Sequence, residues 1–180
     1  METMGTLEVV SALERPDLIA VATYEFLKTL PNAADVGVAE IDPALSDTAA
    51  FCERYQVSMS QAANCVILEA KRGERTWYTA CMILGSTRAD VNGVARKFLD
   101  ARRVSFAPME TAVALTKMEY GGITPVGLPP EWPILIDATV AASEQLIIGS
   151  GIRKSKLIVP GSFLASLTNS TVLEGLARLH

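Results

Sequence analysis

A single α+β domain with a mixed, largely antiparallel strand arrangement is what these 180 residues predict, on three observations. Two β-rich runs, 64–69 and 76–84, flank the polar loop Lys71-Arg72-Gly73-Glu74 and read as a hairpin. Apolar residues at helical spacing recur outside those runs, behind residues that cap helices. No repeat, low-complexity tract or linker divides the chain, which is long enough for one well-buried core and short for two.

Taken in order, Arg15-Pro16-Asp17 opens a helical stretch with Leu18, Ala22, Phe26 and Leu30 on one face, stopped by Pro31-Asn32. Residues 36–41 alternate as a short strand, which Asp42-Pro43 breaks. The Asp47 carboxylate can accept the free amides of a first turn, so a helix is expected from there through Tyr55. The hairpin follows. Asp90 then starts an amphipathic helix whose inner face is Val91, Val94, Ala95, Phe98 and Leu99, with Arg102 and Arg103 at the end that favours cations. A strand at 104–106 leads to Pro108, a good first helical residue, and that helix runs to about Met118 and stops at Gly121-Gly122. Residues 121–133 form a long loop with four prolines and three glycines. Strands are expected at 134–136, 146–148 and 156–159, the last two joined by Gly149-Ser150-Gly151, before C-terminal helical turns.

The residue inventory excludes several chemistries. The only histidine is His180, the last residue, and the cysteines (Cys52, Cys65, Cys81) are three, without metal-ligand spacing and with apolar neighbours. A zinc site and histidine-dependent catalysis are therefore not expected, and the thiols read as buried in a reducing, cytoplasmic compartment. No apolar run reaches bilayer length, and Met1-Glu2-Thr3-Met4-Gly5 lacks the pattern of a secretory signal. Residues 1–60 carry ten acids and three bases, residues 61–180 ten acids and thirteen bases. That balance does not suit wrapping of duplex DNA, but leaves room for a local contact with a single-stranded end.

Four places could carry chemistry, each with a plainer structural reading. The segment Tyr120–Pro129 combines glycines, which let backbone amides approach a ligand, with prolines that stiffen the loop. Such amides suit an oxygen that becomes anionic on an ester carbonyl; the plainer reading is a helix C-cap followed by a rigid connector. Asp137, after its strand, is either a ligand-orienting acid or an N-cap for 138–142. Gly149-Ser150-Gly151 with Arg153 is either a phosphate contact or a tight turn, and the missing third glycine excludes a dinucleotide fold. Arg72, Arg75, Arg88, Arg96, Lys97, Arg102 and Arg103 either meet a nucleic acid or solvate a surface, and at most one of Trp77 and Tyr78 is available to stack on a base.

In sequence these pieces resemble the YbaK/EbsC family, which includes free-standing relatives of the prolyl-tRNA synthetase insertion domain. The match carries the family's Gly-x-x-x-Pro signature as Gly121 to Pro125, followed by Ile134–Asp137 and Gly149–Arg153; upstream, Asp47-Thr48-Ala49-Ala50 and Arg88-Ala89-Asp90-Val91 fit in order. The resemblance spans about residues 47–160 and only loosely 1–45. It implies a sheet curled around a pocket with helices outside, and a substrate: the aminoacyl ester at the 3′ end of a tRNA carrying a small wrong amino acid. It implies no metal or organic cofactor, and an aminoacyl-tRNA synthetase as a possible partner. By that resemblance Gly121, Gly122, Thr124 and Pro125 form the carbonyl-binding loop, Asn64 and Asp137 line the pocket, and Thr48, Arg88, Gly151 and Arg153 contribute to substrate binding. One departure stands out. The position where family members carry a lysine falls on Asn64, in Ala62-Ala63-Asn64-Cys65-Val66-Ile67. Either another cation such as Arg88 substitutes, or the substrate differs, or the protein binds without cleaving.

Overall fold

The computed structural model describes residues 4–180; residues 1–3, part of the N-terminus read above as non-secretory, lie outside them. The strands are β1 (Val10–Ser11), β2 (Gly37–Glu40), β3 (Ala63–Arg72), β4 (Arg75–Leu84), β5 (Thr87–Ala89), β6 (Arg103–Phe106), β7 (Ile134–Asp137), β8 (Leu146–Gly149), β9 (Ser155–Val159), β10 (Ser170–Leu173) and β11 (Ala177–Leu179). The helices are α1 (Val21–Leu27), α2 (Thr48–Tyr55), α3 (Arg96–Phe98), α4 (Met109–Thr116), α5 (Ala138–Ala141) and α6 (Gly161–Ala165). No helix among the described residues is long and apolar enough to cross a membrane.

One sheet runs β1-β2-β9-β8, a second β10-β7-β4-β3-β6, and β11 pairs with β5. Pairing is antiparallel except where β7 lies parallel to β4 and to β10, so the mixed, largely antiparallel arrangement expected is present. The two large sheets meet where Ala62 bridges Ile147 and the Ile147 amide donates to Gln61 O at 2.8 Å. The expected hairpin is full length, Ala63 pairing with Leu84 down to Arg72 with Arg75.

Strand periodicity sorts side chains into separate cores, because successive residues face opposite sides of a sheet. On β4, Ala80 and Met82 enter the core between the sheets, whereas Cys81 and Ile83 enter one on the far side, under Ala95 and Leu99. On β9, Leu157 and Val159 join the central core, and Ile158 faces the layer containing Phe51 and Cys52 of α2. Lys156 shares the parity of Ile158. That single fact of register determines where its ammonium goes.

Several elements differ from expectation for local reasons. The first helix is broken: a 3-10 turn at Pro16–Leu18 precedes α1. Between them the Ala20 amide donates to Ser150 O at 3.1 Å, and the buried Ser155 hydroxyl donates to Leu18 O. The Asp90 segment begins as a π turn, Val91–Ala95, before α3, with Asp90 accepting from the Gly93 and Val94 amides; Phe98, expected inside, is exposed. Helix α4 ends on Lys117, whose φ of 60° supplies the left-handed cap. The Gly121-Gly122 pair is thus no C-cap. The C-terminal helical turns expected are α6, but β10 and β11 follow it.

Candidate active site

A cavity of about 390 Å³ opens between the two sheets. One wall is the start of β3, including Asn64 and Cys65; opposite stand Gly149 of β8 and Lys156 of β9, with Ser46–Thr48 and Tyr120–Gly121 around the mouth.

The Ser46–Thr48 segment is held in place from its own sequence. Asp47 caps α2, accepting from the Ala49 amide at 3.1 Å and the Ala50 amide at 3.5 Å. The Thr48 hydroxyl then donates to Asn64 Oδ1 at 2.8 Å. The –NH2 of Asn64 donates to no group among the described residues and belongs to a residue on the cavity wall. Asn64 is thus oriented by its carbonyl, with its donors left over.

The glycine loop is set by close approach. Gly121 has φ 88°, and a Cβ there would lie 3.1 Å from Ser46 Oγ. A Cβ on Gly122 would lie 2.6 Å from Ile152 O, and one on Gly149 would overlap the carbonyl oxygens of Gly122 and Ile123. These glycines let the loop press against the turn after β8, where the Gly151 amide donates to Gly122 O at 2.7 Å. The Gly122 amide is itself committed to Glu119 O at 3.0 Å, so it is not a free donor for a ligand. Gly121 and Ile123 differ: both line the cavity, and neither amide has a partner among the described residues.

Lys156 is the residue that sequence reasoning missed. It is 8% exposed, its Nζ donates to Ser46 O at 3.2 Å, and the ammonium sits 5.4 Å from the centre of the Phe51 ring. Burial pushes its pKa down to about 8; Cys52 and Asp47 oppose that fall and Arg153 adds to it. The available signal was a lone lysine opening the apolar run Leu157-Ile158-Val159, since lysine is almost never buried without a reason. Cys65 also lines the cavity, but burial pushes its thiol far above the ordinary range, with Cys81 adding to the effect. It is no nucleophile near neutral pH.

The structure brings together Thr48, Asn64 and Gly121 of the expected site residues. Arg153 bridges the rim, donating to Tyr120 O at 3.4 Å and Pro43 O at 3.2 Å. Gly122 and Gly151 stand behind the wall. Thr124 is fully buried, with a hydroxyl that has no partner among the described residues. Pro125 lines a different cavity. Asp137 and Arg88 are placed elsewhere, contrary to the pocket roles expected of them. Asp137 is 3% exposed and spent on structure, accepting from the Thr139 amide at 3.0 Å and the Ala177 amide at 2.9 Å. Arg88 lies on β5, opposite Arg178 of β11, and does not line the cavity.

The profile of the aminoacyl-tRNA editing domain matches residues 42–167, which contain this whole cavity. The chain belongs to that family. A comparison with curated proteins gives no match. Among solved structures the editing domain is similar to the hypothetical protein APE2540, with a TM-score of 0.76 and 20% identity over 87% of this chain and 99% of that one. It is also similar to a proposed trans-editing enzyme for prolyl tRNA synthetase, with a TM-score of 0.72 and 17% identity over 87% of this chain and 97% of that one. At such identities the likeness is one of fold, and the editing domain's chemistry has to be argued from its own cavity.

Proposed function

We propose that this editing domain is a trans-acting deacylase that hydrolyses the ester of a mischarged tRNA. What supports it is one juxtaposition: two uncommitted backbone amides, Gly121 and Ile123, on the wall of a cavity that also holds the donors of Asn64. In this reading the terminal adenosine and its aminoacyl group enter the cavity, and water attacks the carbonyl carbon. The two amides hold the oxygen as charge develops on it, an interaction that strengthens in the transition state. The attack needs no histidine, and no metal or organic cofactor is invoked. A volume of about 390 Å³ is near the lower end for small-molecule sites, which suits a nucleoside bearing a small amino acid. Selectivity by size alone is weak, about 10–200-fold per methylene.

The likeness to a proposed trans-editing enzyme for prolyl tRNA synthetase makes tRNA(Pro) the first substrate to try. A prolyl-tRNA synthetase is the partner from which such a substrate would come, in the cytoplasm. A second reading, a non-catalytic module that binds an aminoacyl-tRNA end or a nucleotide, is favoured by Asn64 at the position where the family resemblance leads one to expect lysine.

The deciding assay is hydrolysis of tRNA(Pro) charged with alanine, cysteine or serine, wild type beside Gly121→Ala. Cleavage by wild type that falls at least 100-fold in the variant is expected, because the Cβ strains a backbone at φ 88° and meets Ser46. Binding of these tRNAs with no cleavage by wild type would instead establish the binding module.

A further inference from the structure

We propose that the Lys156 ammonium, reaching the cavity from β9, holds the carbonyl oxygen of the substrate's ester together with the loop amides and replaces the cation that β3 lacks at Asn64. The proposal rests on the deacylase reading above. It begins from the residue's position in the sheet. Register puts Lys156 on the face that packs against α2, beside Ile158 and under Phe51, where an apolar side chain of similar length would fit. An ammonium in that place loses most of its hydration. Its one protein acceptor is Ser46 O, which leaves two of its three N–H donors without a protein partner among the described residues. Those donors belong to a group on the cavity wall.

The same short segment ties the two sides together. Ser46 O receives the Lys156 ammonium, while two residues on, the Thr48 hydroxyl donates to Asn64. The β3 amide and the β9 ammonium therefore approach one cavity from opposite sheets, at the two ends of Ser46–Thr48. The other cations considered for the role are engaged or placed off the cavity wall. Arg153 is bound to two carbonyls at the rim, Lys71 is paired with Glu69 at 2.7 Å, and Arg88 sits on β5. Lys156 is the one cation on the cavity wall among the described residues.

The chemistry balances without a proton from the lysine. Water adds to the carbonyl carbon, the carbonyl oxygen becomes anionic against the ammonium, and the bond to the ribose oxygen breaks. The proton lost by water ends on that ribose oxygen, giving the free amino acid and an uncharged tRNA 3′ end. The groups facing the ammonium are Asp47 and Cys52 from α2 and its cap, Arg153 from the turn before β9, and the Phe51 ring, while Cys65 of β3 lines the same cavity. Because burial has brought Lys156 down to about 8, the charged form that the role requires is lost just above neutral pH.

The test compares wild type, Lys156→Met and the double variant Lys156→Met/Asn64→Lys on alanyl-tRNA(Pro) from pH 6 to 9, with uncatalysed hydrolysis subtracted. Equal secondary structure and cooperative melting establish that each variant folds. Expected are a loss of at least 100-fold in kcat/KM for Lys156→Met and recovery of at least tenfold in the double variant. Wild-type kcat/KM should also fall as pH rises through about 8. A folded Lys156→Met within threefold of wild type, or wild-type activity that keeps rising through pH 9, overturns the proposal. If wild type cleaves no substrate, the deacylase reading fails separately, and Lys156 is judged by calorimetry with 3′-alanylamino-3′-deoxyadenosine. Binding at least tenfold weaker in Lys156→Met sustains the contact; equal binding ends it.

Discussion

Two cavities lie on either side of the Gly121–Pro133 loop, and they are built from opposite materials. The one at the glycine end, about 390 Å³, has the Lys156 ammonium, the Asn64 amide and uncommitted backbone donors on its wall. The one at the proline end, about 480 Å³, is walled mainly by Phe26, Pro125, Leu128, Trp132 and Leu167, with no ionisable side chain. Glycine lets the loop lie against the Ser150–Ile152 turn and leaves amides exposed. Proline removes amides and offers ring surface instead. One loop thus separates a place with a cation on its wall from a place that is mostly apolar, with Thr168 and Asn169 as its polar side chains. Size does not distinguish them; the placement of donors does.

The sharpest way to break that contrast is a pair of substitutions with opposite signs. Trp132→Ala removes a buried indole stacked on Tyr78 with ring centres 5.5 Å apart, and should cost about 3–5 kcal/mol in urea unfolding. Where the variant remains folded, deacylation should stay within about threefold of wild type. A fall in kcat with stability intact would place chemistry at the proline end.

Lys156→Met should behave in the opposite sense. The folded-state pKa of Lys156 is depressed, so the unfolded chain binds its proton more tightly between about pH 8 and the ordinary lysine value near 10.5. Stability therefore rises with pH across that window, and the cost of burying the charge is fully present below it. That cost is on the order of 3 kcal/mol at most. Lys156→Met should be more stable than wild type by about 1–3 kcal/mol at pH 7, with the advantage shrinking as pH approaches 10. Urea unfolding at the two pH values checks it. A variant less stable than wild type at pH 7 would mean that the ammonium serves the fold.

Thr124 sits in the loop between the Gly121–Ile123 wall of one cavity and Pro125 on the wall of the other, and its effect should be smaller. With the hydroxyl buried and unpartnered, Thr124→Val should be neutral or stabilising by up to about 1 kcal/mol. Loss of activity in that variant would extend the polar site past Ile123. Of similar size is the effect of Asp137→Asn, which weakens the cap of α5 and the tie to Ala177. It should cost about 1 kcal/mol in thermal or urea unfolding and leave deacylation within threefold. A large kinetic effect would restore Asp137 to the pocket.

Much of the fold was legible in local pattern. The β3–β4 hairpin follows from its β-rich runs and polar turn, and α2 from an aspartate that can accept first-turn amides. Asn64 and Gly121, each singled out from a recognisable motif, do line the cavity. The pairings of β10 and β11 were not legible, because both join strands distant in sequence and no hairpin turn announces them. The break before α1 arises from hydrogen bonds to Ser150 and Ser155, more than 120 positions away.

By itself the sequence determined the family, the central hairpin and the helix that Asp47 caps. Those are matters of residue type and short-range spacing, which local sterics and capping express directly. Only the tertiary structure decided which polar groups share a cavity. Asp137 and Lys156 are both charged residues near a strand end, in Ile134–Asp137 and Ser155–Val159; local capping offers Asp137 a structural role, but no local rule says where the Lys156 ammonium goes. The register of β9 and the packing of α2 send one ammonium into the pocket, while the amides of Thr139 and Ala177 consume the other's carboxylate. Side-chain destination depends on what packs above each strand, and that is set by contacts distant along the chain.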